Sequence, residues 1–308
     1  MDRLAAIEAF VAVAEAGSFS RAAEKLTMAK SAISRQVSAL ETELGARLFH
    51  RTTRSLTLTE VGSGYLERAS RILADLEEAN LAVTQLQSAP RGRLRINAPM
   101  SFGFLHLAQA LPDFLAQHEE VTVDLMMNDR FVDLVEEGFD VAVRIGAMED
   151  SSLVARKLAP IHLLVCASPD YLSKYGTPTT IAELKQHQCL GYLGHQTEWP
   201  FVDRTGKAIT VPIQGRLTAN NGDALRVAAL KGAGLVYLPT FLIGDDLRSG
   251  ALVPITLDAK PKSLTLSAVY PHARHLSPKV RAFVDFLVQR FGPKPYWDEG
   301  VRGEWRRR

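Results

Sequence analysis

The chain has 308 residues, of which 46% are hydrophobic and 23% charged, a mix that fits ordinary globular protein with two or three cores. The formal net charge of +2 is uninformative as a total, and two cysteines in such a length do not make a disulfide scaffold. No run approaches the roughly 18 apolar residues of a membrane span. The opening MDRLAAIEAF lacks the uninterrupted apolar stretch of a secretory leader, so a cytoplasmic seat with no membrane partner is expected.

Leu4, Ile7, Phe10, Val11 and Ala14 recur at helical spacing, and Gly17 is a natural stop. Ser20 reads as the N-cap of a short helix through Leu26, with Ala22, Ala23 and Leu26 turned inward. A turn over 27–29 leads into a third helix ending near Leu44, whose inner face is Ile33, Val37, Leu40 and Leu44. After Leu48-Phe49, alternating residues on either side of a basic tip, His50-Arg51-Thr52-Thr53-Arg54-Ser55, read as a small hairpin. Three short helices and a basic hairpin over 1–59 predict a winged helix-turn-helix. Residues 20–59 carry seven cations against three acids, whereas 60–88 carry two cations against five acids. A basic unit facing a polyanion, joined to one that avoids it, explains this contrast.

Residues 60–89 predict a long linker helix without Gly or Pro after Gly64. Tyr65, Ala69, Ile72, Leu76, Ala79, Val83 and Leu86 alternate spacings of four and three, which predicts a coiled-coil dimer seam. Ala89-Pro90-Arg91-Gly92 breaks the helix and reads as a hinge. Beyond it, strand-like runs at 94–98, 121–127, 140–145, 163–167 and 235–237 alternate with helical runs at 105–117, 131–137 and 224–231. This alternation predicts an α/β fold with parallel-rich sheets.

In a helix-turn-helix, early residues of the second motif helix meet base edges in the major groove. Here these are Lys30, Ser31, Ser34 and Arg35, with Gln36 toward the backbone side. Lys30 and Arg35 suit guanine O6 and N7, and a serine hydroxyl serves several edges. Arg51 and Arg54 on the wing suit phosphates or a narrow minor groove. The pattern points to double-stranded DNA as a partner.

The run Ser31-x-x-Ser34-x-Gln36-Val37-x-x-Leu40-Glu41-x-x-Leu44-Gly45-x-x-Leu48-Phe49-x-Arg51-x-x-Arg54-x-x-x-Leu58-Thr59-x-x-Gly62 resembles the signature of LysR-type transcriptional regulators. So does the preceding Ala14-x-x-Gly17-Ser18-Phe19-Ser20-x-Ala22-Ala23-x-x-Leu26. The resemblance implies a periplasmic-binding-protein-like effector domain of two lobes, crossed twice by the chain. It also implies a homodimer or homotetramer on an inverted-repeat operator, working with RNA polymerase at the promoter and answering a small-molecule effector. One departure is that many relatives carry Gln where this chain has Lys30, and often Pro where it has Ser31. The effector domain is expected at 90–292, with lobe I at about 90–161 and 268–292 and lobe II at about 162–267.

Ligands in such a domain settle between the lobes, near strand ends and helix N-termini. Ser101 and Phe102 follow the first strand, Asn220 and Asn221 precede a later helix, and Arg144 ends a strand, so these five residues are expected to bind the effector. Free first-turn amides, the Ser101 hydroxyl and Arg144 suit a small carboxylate, with Met100, Phe104, Met127 and Phe131 as apolar neighbours for an aromatic body. Asp223 reads instead as the cap of its own helix. Cys166 reads as buried and Cys189 as more exposed, both without a redox role. The segment 293–308, basic and holding Pro295, reads as a partly disordered tail. Scattered histidines and the absence of HExxH, GxSxG, a phosphate loop or CxxC speak against an enzyme, and no cofactor or metal is expected.

Overall fold

Asp2 starts the first helix, its carboxylate accepting from the Leu4 and Ala5 amides, and helix α1 runs Arg3–Ala16 to a left-handed Gly17. This is a computed structural model, and it describes residues 2–51, 56–84, 89–130, 132–146, 153–193, 198–272 and 276–301. The chain divides into two compact units, Met1–Ser88 and Ala89–Arg308.

In the first unit, α2 (Phe19–Lys25) is capped by the Ser18 hydroxyl, which accepts from the Ser20 amide, so the cap lies two residues earlier than expected. Ser18 is the residue with extended backbone there, the conformation an N-cap needs. Thr27 turns the chain with φ 54°, an uncommon value for a β-branched residue. Helix α3 (Lys30–Leu44) follows and buries Ile33, Val37 and Leu40 completely. Strands β1 (Phe49–Arg51) and β2 (Leu56–Leu58) pair antiparallel, and α4 runs Glu60–Thr84. Phe10 centres the core, 5.3 Å from the Phe49 ring and 5.4 Å from that of Tyr65.

Two polar contacts weld this unit. Glu41 Oε1 accepts from the amides of Leu48 and Phe49 at 2.9 and 3.2 Å, fixing the root of the wing to α3. Thr59 donates its hydroxyl to the Arg47 carbonyl at 2.8 Å and accepts from the Gly62 amide at 2.8 Å, capping α4. A Cβ on Gly62 would stand 2.0 Å from the Leu48 carbonyl oxygen, so only glycine lets α4 leave the wing this closely.

The second unit opens with a five-stranded sheet in the order β4 (Val121–Met127), β3 (Gly92–Ala98), β5 (Val141–Ile145), β15 (Leu264–Pro271) and β6 (Leu153–Ile161). β3 runs parallel to β4 and β5, and β15 is antiparallel to both neighbours. The chain crosses to a second lobe after β6. There β7 (Leu163–Ala167) pairs antiparallel with β12 (Val236–Pro239) and β13 (Val253–Pro254), and β9 (Glu198–Val202) with β10 (Ala208–Pro212) and β14 (Lys260–Pro261). The short pair β8 (Gly191–Tyr192) and β11 (Thr218–Ala219) is parallel. The sheets are therefore mixed rather than parallel-rich. The return crossing precedes β15, so lobe I resumes at Leu264, a few residues before the expected 268.

Two further expectations fail. Residues 134–138 form turns instead of the expected helix: the Asp133 carboxylate caps a single turn, accepting from the Val135 and Glu136 amides at 2.9 Å each, and Gly138 ends it with φ 66°. The segment after helix α10 (Pro278–Phe291) is also no loose tail through residue 301: Trp297 is 3% and Val301 2% exposed. Trp297 packs edge-on against Phe102 and tilted against Phe291 and His106, with ring centroids 4.9–5.7 Å away. Arg248 donates to the carbonyls of Trp297 and Glu299, clamping the segment down. Among the described residues no helix is long and apolar enough to cross a membrane.

Candidate functional site

The first unit presents one exposed face of α3. Its N-terminus follows Ala29 with no side-chain cap. Lys30, Ser31 and Arg35 are exposed and Ser34 half-buried, on the side away from Ile33, Val37 and Leu40. Gln36 is half-buried, with its side-chain oxygen shielded from solvent. Arg51 lies in β1, and Arg54 falls outside the described residues. The cations and hydroxyls singled out in the sequence thus cluster at the start of the helix that a helix-turn-helix inserts into the major groove.

The linker seam divides into parts. Ala69, 2% exposed, and Tyr65 pack into the first unit's own core. The burial of Ala69 takes that residue out of the expected dimer seam, while Tyr65 is only half-buried: a helix lying on its own domain produces the same spacing as one lying on a partner. Ile72 and Leu76 are 52% and 37% exposed and continue the pattern outward. Ala79 and Val83 lie on α4, and Leu86 is outside the described residues.

In the second unit a cleft of about 930 Å³ opens between the lobes. Met100, Phe104 and Met127 wall one side, Tyr192 and Leu193 the other, and Asn128, Asp129, Asn220, Asn221 and Asp223 add the polar groups. The segment after β3 positions several of these. It runs as α5 (Met100–Phe102), a π turn (Gly103–Leu107) and α6 (Ala108–Gln117), and such turns are frequent at functional sites.

Asp129, at the end of β4, accepts from the Met100 amide at 2.9 Å and from Asn221 Nδ2 at 3.5 Å. Its carboxylate also bonds the Tyr192 hydroxyl, and burial together with that carboxylate pushes the Tyr192 phenol up. Ser101 donates to Asp223 Oδ2 at 2.5 Å. Asn221 Oδ1 accepts from the Asp223 and Ala224 amides, so Asn221 caps helix α8 (Gly222–Leu230) in place of Asp223.

Asn220 and Asn221 line the cleft, whereas Ser101, 8% exposed, does not; it lies behind the lining, donating to Asp223 and 3.5 Å from Asn221 Nδ2. Phe102 does not join them: it is fully buried, packed on Phe241, Phe291 and Trp297. Arg144 is not in the cleft wall either. It donates to the Asn97 side chain of the neighbouring strand at 2.7 Å, and burial lowers its guanidinium pKa. Two of the donors expected for a ligand carboxylate, the Met100 amide and the Ser101 hydroxyl, bond carboxylates of the chain itself, Asp129 and Asp223. Phe131 lies outside the described residues.

Sequence reasoning missed Asp129 and Tyr192. The signal for Asp129 was its position just past a parallel strand, where ligands of α/β sheets gather. Both cysteines are buried, Cys189 included at 1% exposure, which corrects its expected exposure. Burial raises the thiol pKa of each, that of Cys189 to about 12.

Residues 4–63 match the family profile described as "Bacterial regulatory helix-turn-helix protein, lysR family". Residues 87–292 match "LysR substrate binding domain". The chain is 38% identical over 286 residues to the HTH-type transcriptional regulator CrgA of Neisseria meningitidis serogroup C, covering 92% of this chain and 95% of that one. The solved structure of CrgA, "a LysR-type transcriptional regulator", superposes with a TM-score of 0.59 over 92% of this chain and 97% of CrgA. The full-length structure of AphB, the Vibrio cholerae virulence activator, gives a TM-score of 0.59 at 31% identity, covering 93% of this chain and 98% of that one. A winged reading head, a linker helix and a cleft between two α/β lobes, matched along nearly the whole length, place the chain in the family of LysR-type transcriptional regulators.

Proposed function

We propose that two copies of this regulator associate through the outer half of α4 and read an inverted-repeat operator, with a small molecule in the interlobe cleft setting the output. The observation that carries this reading is the exposed start of α3, where Lys30, Ser31 and Arg35 stand clear of a helix whose other face is fully buried. Two such helices related by a two-fold axis require two half-sites of opposite orientation. Exposed Ile72 and Leu76 supply the apolar contact between copies, and Ala79, Val83 and Leu86 extend it in sequence. The wing residues Arg51 and Arg54 supply phosphate or minor-groove contacts beside each helix. The seat is the cytoplasm, where operator and RNA polymerase are met together.

Effector control needs a ligand that binds one assembly geometry better than another; a hundredfold preference is worth about 2.7 kcal/mol. The test is capture of sheared host genomic fragments by the purified protein at low and moderate salt. A few fragments sharing an inverted repeat are expected at moderate salt. Random fragments that vanish as salt rises would mean phosphate attraction alone and would refute operator recognition.

A further inference from the structure

The lining of the cleft carries more negative than positive charge. Its lining holds two carboxylates, Asp129 from lobe I and Asp223 from lobe II, and one cation, Arg130. The Arg130 side chain is 66% exposed and pairs with Glu137 at 2.9 Å, which offsets part of its charge. Tyr192 and Ser101 already donate to Asp129 and Asp223, and so does the Met100 amide. These two carboxylates share the cleft with an apolar wall of Met100, Phe104, Met127 and Leu193.

We infer that the effector is an organic cation, a primary amine with an apolar body, its ammonium held between Asp129 and Asp223. This rests on the cleft being the effector site. An ammonium has three donors and no acceptor, which suits the carboxylates of Asp129 and Asp223. A carboxylate would meet two like charges there. The apolar wall accepts an aryl or alkyl body, and the cleft volume of about 930 Å³ suits a molecule of that size. Because the two carboxylates come from different lobes, one ammonium bridging them holds the lobes at a fixed separation. Asp129 and Asp223 thus act both as the recognition pair and as the coupling between lobes.

The experiment is calorimetric titration of the full-length protein with phenethylamine, 2-phenylethanol and phenylacetate, which share a body and differ in charge. The amine is expected to bind at least about tenfold more tightly than either of the others. Asp129→Asn and Asp223→Asn, near-isosteric changes whose folding is checked by thermal melt, should each weaken the amine at least about tenfold and the alcohol far less. Tighter binding of phenylacetate, unchanged amine affinity in both variants, or no amine binding at millimolar concentration overturns the cation assignment. Leu193→Trp separates the two readings, since Leu193 is 58% exposed at the cleft and tolerates a larger side chain. If phenylacetate is the ligand and Leu193→Trp blocks it, the cleft stands and the cation falls. If Leu193→Trp leaves the binding of every probe unchanged, the cleft itself is not the site.

Discussion

Trp297→Ala tests whether the segment beyond α10 is part of the effector domain's core. The indole is 3% exposed and touches five rings: Phe102, Phe241, Phe291, Tyr296 and His106. A buried tryptophan removes about 150–250 Å² from water, which at about 25 cal/mol per Å² sets an upper bound near 4–6 kcal/mol. Measured truncations of buried Trp cost about 3–5 kcal/mol, cavity included. For a unit of roughly 200 residues each kcal/mol lowers Tm by about 2–4 °C, so a fall of about 6–20 °C is expected. Scanning calorimetry of the intact protein, with tryptophan emission followed in parallel, reads this directly. Trp297→Phe should recover a good part of the loss. A Tm within about 2 °C of the parent for Trp297→Ala would show the segment to be a passive appendage.

Lys30→Ala and Arg35→Ala should each weaken specific operator binding by about 1–3 kcal/mol and relax preference at a few bases; unchanged footprints would refute the recognition-face assignment. Ile72→Glu with Leu76→Glu should dissociate dimers in sedimentation while leaving the first unit folded, because both residues are exposed. Tyr65→Glu, by contrast, should damage the first unit's own fold. Burial lowers the His106 pKa, against the Phe241 carbonyl bond and the Asp245 charge that favour the cation. The unfolded chain therefore binds the proton more readily, so this stability is present above about pH 6.5 and lost as pH falls through the lower folded value. The effector domain's Tm should drop on acidification through that window, and His106→Gln should flatten the slope. Cys166 and Cys189, buried with raised thiol pKa values, should resist thiol reagents in the native protein. Replacing both with serine should leave operator binding insensitive to peroxide; a peroxide response lost with them would refute their inertness.

The reading head was legible because local rules agree there. Helical spacing, the Gly17 and Gly45 stops and the basic tip all point one way, and α1, α3 and the hairpin form where they indicate. The signature residues also have physical reasons: Glu41 and Thr59 satisfy backbone groups at the wing root, and Gly62 permits a close approach. The seam was only half legible, since spacing reports an apolar stripe and not what covers it. At the cleft, Asn220 and Asn221 follow from helix-start rules, but Asp129 and Tyr192 meet only through tertiary folding. Composition misled at the C-terminus, where prolines and charges surround the one indole that closes the aromatic cluster. The expected helix was likewise cut to a single turn at Gly138, whose φ of 66° is a stop that an apolar period does not weigh.

The contact of Gly62 with the Leu48 carbonyl makes α4 and the wing one rigid piece, and that turns the helix into a lever arm. Its 25 residues span about 37 Å at 1.5 Å per residue. A tilt of about 5° at the far end carries the reading head roughly 3 Å, close to the 3.4 Å step between successive bases along a strand. In the proposed dimer, a small change of crossing angle between two such arms would reach the DNA as a change of half-site spacing of about one base pair. The operator length would then follow the angle of the proposed seam, and a bulkier residue at position 62 would uncouple the two.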